Sequence, residues 1–150
     1  MEILLAHDAD VAAADKRGTT ALMLAIGRAA AIDVLLTCGA RTGARDARGF
    51  TPLMSAAWTG RVDTAERLLA YAADIDTRDT QQGRTALMWA AVKGHTAFVK
   101  MLLAAGSNWK IMDNAGRTAE MLAARHKQHG VVKVLRATRA VVATGSAESR

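Results

Sequence analysis

The chain has 150 residues, a formal net charge of +6 at neutral pH, and a composition that is 51% hydrophobic but only 4% aromatic. So large an apolar share excludes a chain disordered throughout, and with Ala leading the apolar set it points to closely packed helices in a soluble protein. No stretch approaches the ~20 apolar residues of a membrane helix, residues 1–8 lack the basic start of a secretory signal, and the lone Cys38 excludes an intrachain disulfide framework and a cysteine-rich zinc site. The charge is uneven: residues 1–79 carry 9 basic and 11 acidic side chains, a net −2, whereas residues 80–150 carry 11 and 3, a net +8. Arg outnumbers Lys 14 to 6 beside abundant Ala, a bias that a GC-rich bacterial genome produces.

In chain order, residues 1–14 offer only Ile3-Leu4-Leu5, an apolar landmark that returns further along the chain. Asp15-Lys16-Arg17-Gly18-Thr19-Thr20-Ala21-Leu22-Met23 opens a repeat. It recurs as Asp46-Ala47-Arg48-Gly49-Phe50-Thr51-Pro52-Leu53-Met54, then, with one extra residue, from Asp79 to Met88, and again from Asp113 to Met121. Successive Asp residues are 31, 33 and 34 apart, the spacing of a repeat architecture. Each copy is followed by the apolar landmark, at Val34-Leu35-Leu36, Arg67-Leu68-Leu69, Met101-Leu102-Leu103 and Lys133-Val134-Leu135.

Each part of the repeat has a physical reading. Asp-x-x-Gly is a turn, since Asp bonds the backbone two residues on and Gly accepts positive φ. Thr20, Thr51, Thr85 and Thr118 are placed to N-cap the helix that comes next. Pro52 falls at the first helical position, where its missing N–H costs nothing. The pattern predicts helix pairs at 53–59 and 62–71, 87–93 and 96–104, and 119–126 and 129–136, with Gly60 ending the first of these. None reaches the ~12–15 residues of a self-sufficient helix, so stability must come from stacking neighbouring repeats.

Thr51-Pro52-Leu53-Met54-Ser55-Ala56-Ala57-Trp58-Thr59-Gly60 resembles the ankyrin repeat, and Gly83 to His95 matches it over the whole first helix and turn. The resemblance implies an all-α solenoid of stacked antiparallel helix pairs with β-hairpin-like tips. It divides the chain into a partial repeat at 1–14 (second helix only), repeats at 15–45, 46–78 and 79–112, a capping repeat at 113–136, and a helical extension with a flexible tail at 137–150. Several departures stand out. The family's His is replaced by Met23, Met54, Met88 and Met121, read as a packing row. The first full repeat lacks two residues around 27–30, and Ala72 stands where Gly39 and Gly106 follow the other second helices. Glu120, Lys133, Arg136 and Arg139 give the last repeat a polar outer face. The half-repeat at 1–14 lacks its first helix, and a start upstream of Met1 is the expected reason.

No enzyme motif is present: there is no Walker sequence, Gly-x-Gly-x-x-Gly or Gly-x-Ser-x-Gly. His126 and His129 fall at an interhelical turn without a third ligand, Cys38 reads as a structural thiol with some burial, and Asp-x-x-Gly lacks the remaining ligands of a calcium loop. No catalytic, metal or cofactor site is expected. The resemblance instead implies a protein-binding module using the tips and the exposed side of the first helices as one concave surface. Carried onto this chain, that surface takes Lys16, Arg17, Thr19 and Arg28 from the first full repeat. Ala47, Arg48, Phe50, Trp58 and Thr59 come from the second, and Gln81, Gln82, Arg84, Trp89, Val92 and Lys93 from the third. The last contributes Asn114, Arg117, Arg125 and His126.

Phe50 and Trp58 lie where large rings are hard to hide, so both are expected at the surface, whereas Trp89 is equally readable as packing between repeats. Trp109 carries no functional assignment. The partner is expected to be a protein, acidic or mixed in charge, bound by a cytoplasmic monomer unless the uncapped N-terminal face self-associates. An upstream signal peptide would change the compartment. Nucleic acid bound by the basic C-terminal half is the alternative.

Overall fold

The computed structural model describes residues 10–145, which form eight helices and no strand. They are α1 (Ala21–Leu24), α2 (Ala29–Thr37), α3 (Pro52–Thr59), α4 (Val62–Ala70), α5 (Ala86–Lys93), α6 (Thr96–Ala104), α7 (Ala119–Arg125) and α8 (His129–Gly145). Residues 1–9 of the half-repeat expected at 1–14, and residues 146–150 of the tail, lie outside the described residues.

Each odd-numbered helix starts the same way. The amides of Met23, Met54, Met88 and Met121 donate to the hydroxyls of Thr20, Thr51, Thr85 and Thr118 at 3.3–3.4 Å, satisfying one orphan N–H apiece. Gly60 closes α3 in the left-handed region, its N–H bonded back to the Ala56 carbonyl. In the first repeat, which is two residues shorter, α1 has only 4 residues, against 8 in α3 and in α5.

The helices stack in two layers. Odd-numbered helices pack on odd-numbered ones, even on even, and each pair closes across the stack. The shared core runs from Leu22, Ile32 and Leu35 through Leu53, Met54, Leu68, Leu87, Met88, Phe98 and Leu102 to Leu122 and Leu135. Small residues allow this closeness: Ala56, Ala57, Ala65, Ala90, Ala91 and Ala123 are fully buried. The Arg67 guanidinium pairs with Asp33 across the second layer, joining α2 to α4.

The Asp-led turns form a ladder of tips. Within each, the Asp N–H donates across the turn, as from Asp46 to the Phe50 carbonyl at 3.0 Å. Between tips, Ala47 donates to Arg17, Thr80 to Arg48 and Asn114 to Gln82, at 2.7–3.1 Å. Gly49 is required where two tips meet: its φ is +76°, and a Cβ there would lie 2.6 Å from the Thr80 nitrogen.

Two expectations need correction here. Met121 is 54% exposed instead of packed, because among the described residues no further first helix covers α7. Cys38 is exposed, since it sits past the last turn of α2 with its side chain outside the stack. The last helix runs past residue 136 as α8 to Gly145, over the first part of the span read as a helical extension.

Ala72 takes φ 57°, the left-handed conformation its Gly counterparts adopt, and the Ala73 N–H returns to the Leu68 carbonyl as in a Schellman closure. Ala72→Gly is therefore expected to stabilise the protein by about 0.5–1 kcal/mol, read as a raised urea midpoint. An unchanged or lowered midpoint would show that the strain is absorbed elsewhere.

Candidate functional site

The tips and first helices share one face, and its centre lies over the second and third repeats. There Trp58, near the end of α3, meets Trp89 on α5 with ring centroids 5.0 Å apart, and Phe50 from the second tip lies 5.2 Å from Trp89 and 6.4 Å from Trp58. These edge-on and tilted arrangements suit aromatic quadrupoles. Each ring carries a cation: Arg48 over Phe50 at 4.6 Å, Lys93 over Trp58 at 3.6 Å and Arg84 over Trp89 at 4.7 Å. Arg48, Phe50, Ser55, Trp58 and Thr59 line a pocket of about 130 Å³. A second hollow lies between the first two tips, lined by Arg17, Thr19, Asp46, Ala47 and Arg48.

Two buried tip carboxylates hold this cluster. Asp79 accepts the backbone amides of Gln81, Gln82 and Arg84, and the Trp89 indole Nε1 at 3.0 Å, which fixes the ring. Asp113 accepts the amides of Ala115 and Arg117 and both Nε and Nη2 of Arg117, at 2.8–3.0 Å. Burial pushes its carboxyl upward, but the Arg117 side chain and these amides outweigh that and bring the pKa down to about 2. In the first tip, the amides of Thr19 and Arg17 likewise hold Asp15 below its ordinary value.

Of the residues expected at this face, Lys16, Arg17, Arg28, Arg48, Trp58, Thr59, Gln81, Gln82, Lys93 and Arg125 are exposed, Trp58 at 42%, and Arg117 is half-buried against Asp113. Phe50 and Arg84 correct the sequence expectation: they are only 6% and 7% exposed. Trp89 is buried as well, which is its packing reading. Phe50 is covered because Trp89 of the following repeat and its own neighbour Arg48 close over it. Arg84 is covered because its guanidinium lies between Trp89 and Asp113 of the next tip.

Replacing both Trp58 and Arg84 by Ala would disturb packing as well as the surface, since Arg84 is buried. Trp58 with Lys93 is the cleaner pair. Sequence reasoning assigns Asp79 and Asp113 to turns and misses that they anchor the aromatic and cationic side chains, although both stand at the recurring Asp of the repeat. Trp109 is half-buried against the core, with Lys110 over its ring.

Helix pairs in two layers, joined by hydrogen-bonded tips and carrying an aromatic–cation surface on one side, define a repeat solenoid. A family profile described as ankyrin repeats (three copies) matches residues 1–79 and 76–143. The chain is 34% identical over 146 residues to human ankyrin repeat domain-containing protein 63, covering 87% of this chain and 38% of that protein. It is 46% identical over 82 residues to chicken inversin, covering 55% of this chain and 7% of inversin. It is 31% identical over 104 residues to a putative ankyrin repeat-containing protein of Treponema pallidum, covering 69% of this chain and 35% of that protein. The chain belongs to the ankyrin repeat family. It spans well under half the length of these curated relatives. Ankyrin repeats are generally non-enzymatic protein–protein interaction modules, and no helix of the described residues is long and apolar enough to cross a membrane.

Proposed function

We propose that this chain is a non-catalytic module that binds a partner protein through its tips and first helices, centred on Trp58. The observation that carries the reading is the exposed Trp58 ring, set beside a pocket and ringed by Arg48, Lys93 and Thr59. Trp and Arg at the centre of a surface are the residue types that dominate interface energies. The partner surface is acidic or mixed in charge, because Lys93 has no carboxylate partner among the described residues and Arg17 and Arg28 extend the positive rim.

The test is capture from source lysate, with and without nuclease, by wild type, by Trp58→Ala/Lys93→Ala and by Lys100→Ala, an exposed change on α6. A discrete nuclease-resistant protein is expected with wild type and Lys100→Ala. The double variant should weaken its binding at least about 30-fold, the equivalent of roughly 2 kcal/mol. Equal capture by all three would remove the proposed face. Loss of all bound material on nuclease treatment would favour polyanion binding by the basic C-terminal half, where Lys127, Lys133, Arg136 and Arg139 are exposed. In that half Arg136 and Arg139 already share Glu120, which leaves them less available to a phosphate.

A further inference from the structure

Resting on the tip-face reading, we infer that Arg84 is a carboxylate receptor, and that the partner segment places an Asp or Glu side chain there beside an apolar residue in the Trp58 pocket. Arg84 is unlike the other cations of the face. Its side chain is 9% exposed and held in one place, stacked on Trp89 and with Nε 3.5 Å from Asp113 Oδ2. That contact is a charge pairing and not a hydrogen bond: the Nε is buried and makes none. Asp113 Oδ2 is already taken by Nε and Nη2 of Arg117, at 3.0 and 2.8 Å. Asp79, the other nearby carboxylate, is filled by three backbone amides and the Trp89 indole.

The two terminal nitrogens, Nη1 and Nη2, therefore bond no acceptor among the described residues. They are not sealed off either, since Nε alone of the guanidinium is both buried and unbonded. A guanidinium fixed by stacking, with its two Nη donors unbonded among the described residues and its outer edge just reaching the surface, is pre-organised for the two oxygens of a carboxylate. Holding an Arg this way costs desolvation that the pairing with Asp113 and the stacking on Trp89 return only in part, and a bound carboxylate adds to that return.

The surroundings choose the occupant. Lys93 adds an exposed positive charge, and the pocket lined by Arg48, Phe50, Ser55, Trp58 and Thr59 offers an aromatic-walled seat nearby for a small apolar group. Stacked nucleobases fit poorly, because Lys93 already lies over Trp58, and Phe50 and Trp89 are buried. A short acidic segment with an adjacent apolar side chain meets both features.

The experiment selects short random peptides on the full wild-type chain. Selected peptides are then titrated into isotope-labelled protein while the indole N–H signals of Trp58, Trp89 and Trp109 are followed. Selection is expected to enrich Asp or Glu next to an apolar residue, and binding should shift Trp58 and Trp89 but not Trp109. Changing the peptide's acid to its amide and making Arg84→Lys should each weaken binding about tenfold or more, and Arg84→Lys should bind acid and amide peptides alike.

Peptides that shift Trp58 and Trp89 without an acid preference, or an Arg84→Lys protein that keeps the preference, would overturn this inference and leave the tip face standing. Failure of every peptide to move either indole would overturn both. Oligothymidylate moving them in place of peptides would also overturn the carboxylate assignment. Should Arg84→Lys misfold, the acid-to-amide swap on wild type decides, since equal binding of the two peptides contradicts the inference without any variant.

Discussion

Asp113→Ala is expected to destabilise the protein by about 3–5 kcal/mol, measured by urea denaturation at neutral pH. The substitution removes the acceptor of two tip amides and of the Arg117 guanidinium, and it strips a buried Arg84 of its countercharge. Breaking one side of a buried pair leaves an uncompensated charge, which accounts for the size of the effect. Its pH dependence is a second signature. With the folded-state pKa lowered from 3.8 to about 2, the ionised carboxylate contributes stability that is fully present above about pH 4 and is lost as pH falls through 2. The linked contribution is on the order of 2 kcal/mol. The difference between wild type and variant should therefore shrink by that amount between pH 4 and pH 2, and a gap that stays constant over that window would contradict the assignment.

Phe98→Ala is expected to cost about 3–5 kcal/mol, combining lost burial with the cavity left behind. Phe98 is fully buried on α6 and is the largest of the fully buried side chains among the described residues, so its removal leaves the most space to fill. Because repeats are stabilised by the neighbours they stack on, a defect here should separate the first repeats from the last, giving a broadened transition as well as a lower midpoint. Lys100→Ala, exposed on the same helix, should stay within about 0.5 kcal/mol of wild type. A Phe98→Ala midpoint indistinguishable from that of Lys100→Ala would mean that α6 does not join the two halves.

The sequence makes the framework readable because its signals are local. Thr51 with Pro52, the Asp-x-x-Gly turns, Gly60 and the Leu68-Leu69 landmark each act within a few residues, so their meaning survives without knowledge of neighbours. Even the strained Ala72 is legible, since its place in the repeat requires a left-handed residue. The site is less legible because its contacts cross between repeats. Phe50 is buried by Trp89, 39 positions away, and Arg84 by Asp113, 29 positions away, so a tip residue that looks exposed in its own repeat is covered by the next. Met121 shows the converse, a framework position left open because no described helix follows it on that side.

Burial also changes what the basic tip residues can do. Arg48 is spent locally on Asp46 and Phe50, and Arg117 on Asp113. Lys16 and Arg17 of the first tip, Lys93 on α5 and the outer edge of Arg84 remain for another molecule.

The central claim is that a partner protein docks over the aromatic cluster. Its most direct measurement is site-specific photocrosslinking, with a photoreactive residue at Thr59, which lines the pocket, and at Lys100, exposed on α6. A covalent adduct with the captured protein from position 59 and none from position 100 is the result predicted. An adduct from position 100 with none from position 59 would place the interface on the second helices and contradict the account.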